Sequence, residues 1–227
     1  MENAELATEP PVGGTWDSAL NAALSLAEQG GLVIYILGIL SVFGLALVLY
    51  KLAQFTILRS QLAREKRALD LWRQANPVDA LKLVKGKQGP VSRLMAAAMA
   101  ARINGVTDKS ALEDRLEIAA VQEITDLRQF MRALELIAIT SPLLGLLGTV
   151  LGMIDAFRAL EAAGSRVDPS ILSGGIWVAL LTTAAGLIVA IPAATFHSLF
   201  EGTIEKTIAR MEQALTLILL GSTSPKQ

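Results

Sequence analysis

The chain contains no cysteine and one histidine, His197. The first absence removes disulfides, thiol catalysis and Cys-based metal sites. The second excludes most metal chemistry. Aromatic residues are scarce, at 5%. Lysine and arginine are missing from residues 1–50, which carry five acids: Glu2, Glu5, Glu9, Asp17 and Glu28. Charge of either sign is missing from three long stretches, Gln29–Tyr50, Leu136–Ile154 and Pro169–Phe200, of 22, 19 and 32 residues. These stretches hold no paired carboxylates, HExxH pattern or Ser/His set, so an enzyme is not indicated. No cofactor or nucleic-acid partner is expected. A cleavable signal peptide is not expected either, because the residues before the first apolar run are acidic and that run is too long for an h-region.

What is present is apolar surface. The hydrophobic fraction is 52% and the mean hydropathy +0.49, too apolar for a soluble domain of this size. A helix needs roughly 20 apolar residues to cross a hydrocarbon core of about 30 Å. In lipid the backbone must satisfy its own hydrogen bonds, so such spans are helices. The fold class is therefore an all-α membrane protein with three transmembrane helices. Segment 59–135 carries fourteen Lys/Arg and is cytoplasmic by the positive-inside rule. The expected order is a periplasmic tail and amphipathic surface helix over 1–28, a first span over 29–58 and a cytoplasmic helical region over 59–135. A second span over 136–158, a periplasmic hairpin over 159–168, a third span over 169–200 and a cytoplasmic helical tail over 201–227 complete it. The N-terminus lies outside and the C-terminus inside, as in a multi-pass protein of a bacterial inner membrane.

Periodicity fills in the rest. Trp16, Leu20, Ala23, Leu24 and Ala27 share one helical face, which suits a helix lying on the membrane surface. The apolar repeat Leu52, Phe55, Leu58, Leu62, Leu69 and Trp72 carries the first span into the cytoplasm. Asn76-Pro77 stops it, with Asn76 capping a short helix over 77–85. Ser92–Ile103 is a further helix, ending at Asn104-Gly105. Ser110-Ala-Leu-Glu113 is a capping-box pattern. One unbroken helix is expected from about 109 to about 160, because no Gly or Pro interrupts the repeat before Pro142. Beyond Glu201, Ile204, Ile208, Met211, Leu215 and Ile218 extend the third helix to Gly221. These long cytoplasmic extensions carry apolar stripes that need a partner surface, so the chain is expected to be homo-oligomeric.

The spans are rich in small residues. Gly145, Gly148 and Gly152 lie on nearly one face of the second, beside Thr149. Pro142 should loosen that helix near its cytoplasmic boundary. The third carries Gly175, Ala179, Thr182, Thr183, Gly186 and Ala190, with Pro192 late. Such faces let helix backbones approach closely. Two readings stay open: helix–helix packing, or a pore wall carrying hydroxyls and little bulk. Asp155 with Arg158 reads as an interfacial ion pair, His197 as structural, and the loop 159–168 as a solvated hairpin.

Two motifs resemble a known family. Ser141-Pro-Leu-Leu-Gly-Leu-Leu-Gly-Thr-Val-Leu-Gly-Met153 and Gly174-Gly-Ile-Trp-Val-Ala-Leu-Leu-Thr-Thr-Ala-Ala-Gly-Leu-Ile-Val-Ala-Ile-Pro-Ala193 are similar to segments of the MotA/TolQ/ExbB proton-channel family, most closely ExbB and TolQ. The resemblance covers about residues 16–220. It implies a homopentamer whose second and third spans line a pore. A dimer of a single-span ExbD- or TolR-like partner, carrying a pore Asp, would occupy that pore, and proton flow would drive a TonB- or TolA-like protein. The family's pore threonines fall on Thr149 and Thr183, with Thr182 alongside. Its prolines and glycines fall on Pro142, Gly145, Gly148, Gly152, Gly186 and Pro192. ExbB and TolQ members place a glutamate where this chain has Val178, and MotA-type members work without it. The resemblance thus implies a channel or stator subunit. The alternatives are a non-conducting scaffold of the same architecture and a flagellar-type MotA-like stator, against which the expected four spans of MotA relatives count.

Overall fold

A computed structural model describes residues 15–87, 89–106, 108–164 and 169–220. The expected tail over 1–14, the hairpin residues 165–168 and the end of the chain from 221 lie outside the described residues, as do the side chains of 15–30. Six helices follow one another: α1 Thr15–Arg73, α2 Pro77–Val84, α3 Pro90–Ile103, α4 Lys109–Arg128, α5 Met131–Ala162 and α6 Pro169–Leu220. α1 is broken at Gly31, whose φ of 60° and ψ of −157° only glycine adopts easily. Three of the helical stretches are long and apolar enough to cross a membrane.

The buried stripe and the exposed face of α1 tell different stories. Val33, Leu37, Leu47, Lys51, Phe55, Gln61, Glu65, Ala68 and Trp72 are buried at helical spacing along its length. The opposite face changes character. Up to Leu58 the exposed residues are mainly apolar, such as Leu32, Ile39 and Val42, each at least 70% exposed. From Arg59 onward they are mainly polar and charged, including Arg64, Lys66, Arg67 and Asp70. α6 repeats the pattern: Trp177, Leu180, Ile188 and Ile191 are exposed in its first part, Glu205, Lys206 and Glu212 in its second. Exposed leucines and isoleucines at this density belong in lipid, where they lose nothing by facing outward.

The contacts sort into two compact units. One comprises residues 1–41 and 140–189. Its packing is the contact between α5 and α6 described below. The other comprises 42–139 and 190–227. There α3 packs on α2 and α4, burying Ala80, Val84, Leu94, Met95, Ala98 and Met99. A polar cluster ties α1, α3 and α6 together. Gln61 Oε1 accepts from the Gly89 amide at 3.1 Å and from Ser92 Oγ at 3.2 Å. Ser92 Oγ also reaches Glu65 Oε1 at 3.0 Å, and Arg210 Nη1 stands 3.6 Å from Glu65 Oε2. Arg93 pairs with Glu123 across α3 and α4.

Local expectations fare unevenly. α2 starts at Pro77 as expected, but Asn76 makes no side-chain cap bond. α3 begins two residues early, at Pro90, since proline suits a helix's first position. Gly105 closes the segment after α3 with a φ of 70°. The cap of α4 is Asp108, not Ser110: Asp108 Oδ1 accepts from the Ala111 amide at 3.1 Å and from Ser110 Oγ at 2.9 Å. Those donors hold the Asp108 carboxyl below the usual carboxylate range.

The largest correction concerns the expected helix 109–160. It is two helices, broken at Gln129-Phe130, where Phe130 adopts a φ of 64°. A left-handed residue with a side chain costs about 1–2 kcal/mol, so contacts must hold it. The Lys51 ammonium, with only 1% of the residue exposed, donates to Leu127 O at 2.8 Å and to Gln54 Oε1 at 3.0 Å. It thereby occupies a carbonyl of the last turn of α4, which a helix end leaves without an intrahelical partner. Tyr50 meets the Phe130 ring edge-on at 5.7 Å, and Arg128 pairs with Glu201 at 3.2 Å. The break therefore depends on tertiary partners, not on a local glycine or proline. Pro142 and Pro192 sit inside α5 and α6 without ending either helix.

Candidate pore and packing seam

The small residues of the second and third spans meet within one chain. α5 presents Gly145, Gly148 and Gly152; α6 presents Ala179, Thr182, Thr183 and Gly186. The approach is close enough that side chains would not fit. A Cβ on Gly145 would lie 2.9 Å from Thr182 O and 3.1 Å from Thr183 Cα. On Gly186 it would lie 2.6 Å from Ser141 O and 3.1 Å from Gly145 Cα. On Gly148 it would meet Thr182 Oγ1 at 2.5 Å, and on Gly152 it would touch Ala179 Cβ at 3.3 Å. On Gly175 it would collide with Ala156 Cβ. This is small-residue packing of the kind that drives helix association in lipid.

Hydroxyls follow the seam. Thr182 is 1% exposed. Its Oγ1 donates within α6 to Ala179 O at 2.7 Å and lies 3.3 Å from Gly145 O. Thr183, half-buried beside it, places Oγ1 3.4 Å from the same carbonyl. Thr149 is half-buried and donates to Leu146 O of its own helix at 2.6 Å. Val178 is half-buried on α6 next to the exposed Trp177. The structure thus brings Gly145, Gly148, Gly152, Gly175, Gly186, Thr182 and Thr183 into one contact. Thr149 and Val178 stand beside it, and Pro192 is exposed further along α6. Asp155 and Arg158 stand 4.0 Å apart, both well exposed, so their pairing adds little. Among the described residues no cluster of His, Asp and Glu could hold a metal ion.

Sequence reasoning missed two participants. Ser141 contributes through its backbone carbonyl, which no side-chain pattern reveals. Lys51 follows directly on the first uncharged stretch, and the spacing Leu47, Lys51, Phe55 puts it on the buried stripe.

The sequence model of the MotA/TolQ/ExbB proton channel family matches residues 87–213, which take in α5 and most of α6. The biopolymer transport protein exbB1 of Vibrio cholerae is 40% identical over 113 residues, half of each chain. The biopolymer transport protein ExbB homolog of Methanothermobacter thermautotrophicus is 30% identical over 191 residues, 83% of this chain and 66% of that one. The Tol-Pal system protein TolQ of Haemophilus influenzae is 36% identical over 107 residues, 46% of each. The matches thus span from about half to two thirds of these relatives' lengths.

Proposed function

Because the chain belongs to the MotA/TolQ/ExbB proton channel family, we propose that it is the channel or stator subunit of a motor driven by the proton-motive force in a bacterial inner membrane. The observation that supports this most is that the family match contains the whole α5 seam and the α6 segment packed on it. In this reading five copies surround a pore, with the N-terminus periplasmic and the C-terminus cytoplasmic. An ExbD- or TolR-like single-span dimer occupies the pore, and its Asp carries the proton. The motion works a TonB- or TolA-like protein.

The chemistry of the threonines suits the task. A hydroxyl has one donor and two acceptor positions. Thr149 and Thr183 direct their donors to backbone carbonyls and keep acceptor capacity. They can accept from water or from a protonated carboxyl. A charged carboxylate needs a donor instead, so a hydroxyl must leave its carbonyl, at a net cost of about 1 kcal/mol. That difference favours the neutral acid in a low-dielectric pore. Thr182, enclosed by the seam, is assigned to packing.

Val178 supports a second reading. With no acid in the third span, the subunit in this reading is a scaffold that holds a partner without conducting. Proton flux into liposomes containing the chain and its partner separates the two. Flux that disappears when the partner's Asp is replaced supports the motor; no flux under any gradient supports the scaffold.

A further inference from the structure

We propose that the groove between α1 and α6 in the 42–139/190–227 unit binds one anionic phospholipid of the leaflet bordering the basic segment. The groove encloses about 700 Å³, within the usual range for ligand sites of roughly 300–1,000 Å³. Its floor is aromatic: Phe55 packs on Phe200 at 5.3 Å, and Phe200 on Phe196 at 5.9 Å. Leu52 and Leu199 form exposed apolar walls. Further from the uncharged spans the lining turns cationic, with Arg59, Lys66, Lys206 and Arg210.

The charges have no internal answer. No carboxylate lines the groove. Arg210 is engaged by Glu65 and by Thr207 Oγ1 at 2.8 Å. Among the described residues, the side chains of Arg59, Lys66 and Lys206 make no ion pair or hydrogen bond. Three unpaired cations along one trough repel each other and favour an anion among them.

The polarity gradient fits one kind of occupant. From Leu52 to Lys66, and from Phe196 to Arg210, the groove runs about 21 Å along each helix. The apolar half overlaps the ends of the uncharged stretches, with Phe196–Phe200 inside the third and Leu52 two residues past the first, and Arg59 and Lys206 follow nine and six residues beyond those ends. Acyl chains would cover the phenylalanines and the phosphate would meet Arg59 and Lys206. Basic pockets between membrane helices capture anionic headgroups in this way. A soluble phosphate would leave the aromatic floor bare, and a neutral lipid would leave the cations unpaired.

The test uses the full chain in lipid nanodiscs, with bound lipids read by native mass spectrometry. Phosphatidylglycerol should be retained over phosphatidylcholine. Combining Arg59→Gln with Lys206→Gln, both at exposed positions, should lower that retention about tenfold to thirtyfold. The control pair Arg64→Gln and Arg67→Gln, exposed cations outside the groove, should leave it unchanged. Equal retention of both lipids, an unaffected groove variant, or an equal loss in the control would overturn the proposal. So would displacement by soluble glycerophosphate, which would mark a phosphate site alone. Because the chain has no cysteine, Leu199→Cys also reports a competing occupant: if a photo-cross-linker attached to that thiol joins two copies of the chain in membranes, a second copy fills the groove and the proposal is overturned.

Discussion

Adding one methyl group to Gly186 should destabilise the chain far more than adding it to Gly174, twelve residues earlier on the same helix. At Gly186 the new Cβ would stand 2.6 Å from Ser141 O and 3.1 Å from Gly145 Cα. Both neighbours are backbone of α5, so no rotamer change relieves the contact. Restoring ordinary carbon contacts of about 3.5 Å requires α5 to retreat by about half an ångström or more. That retreat loosens Gly148 against Thr182 and Gly152 against Ala179 together. Overpacking of this kind costs about 1–3 kcal/mol. At Gly174 nothing lies within 4 Å of a Cβ, and alanine gains up to about 1 kcal/mol of helix propensity. The two variants should therefore differ by about 1–4 kcal/mol. Unfolding in mixed micelles with increasing sodium dodecyl sulfate, followed by circular dichroism, measures the difference. A Gly186→Ala protein as stable as Gly174→Ala would show that the seam is not closed by backbone contact.

The other expectations test separate parts. Gly148→Leu should part α5 from α6, seen as unfolding at lower sodium dodecyl sulfate by circular dichroism, because the side chain has no space beside Thr182. Thr183→Val should keep assembly but lower ion-driven output at least tenfold if the hydroxyl handles protons; normal output would return Thr183 to a packing role. Lys51→Met should leave Leu127 O without its ammonium donor, costing about 1–3 kcal/mol, and speed hydrogen exchange around Gln129–Leu134. The Asp108 cap should persist above the ordinary Asp pKa and be lost as pH falls through its lowered folded value. The first turn of α4 should then fray, as read by amide exchange, and Asp108→Ala should be frayed at every pH.

The long elements were legible because their physics is repetitive. Charge-free length marks the membrane helices, and a 3.6-residue period extends α1 to Arg73 and α6 to Leu220. The seam was legible in part, since three glycines at helical spacing announce a close approach. What they approach was not, because Ser141 O and Gly145 O are backbone atoms and look alike in any sequence. The break at Phe130 was invisible for a related reason. No residue near it disfavours helix strongly; its determinants are Lys51 and Tyr50, about 80 positions away along the chain. The capping-box pattern points to Ser110, whereas the chain follows the plainer rule that aspartate caps well, with Asp108 in that place.

The joint between α4 and α5 has a wider meaning. The periodicity through residues 109–160 describes a straight rod, and the contacts at the break come from other helices: Lys51 and Tyr50 on α1 and Glu201 on α6. The local pattern and the tertiary partners thus ask different shapes of the same residues, and at Gln129-Phe130 the partners prevail. Any event that draws α1 and α6 aside together would remove what holds the elbow bent.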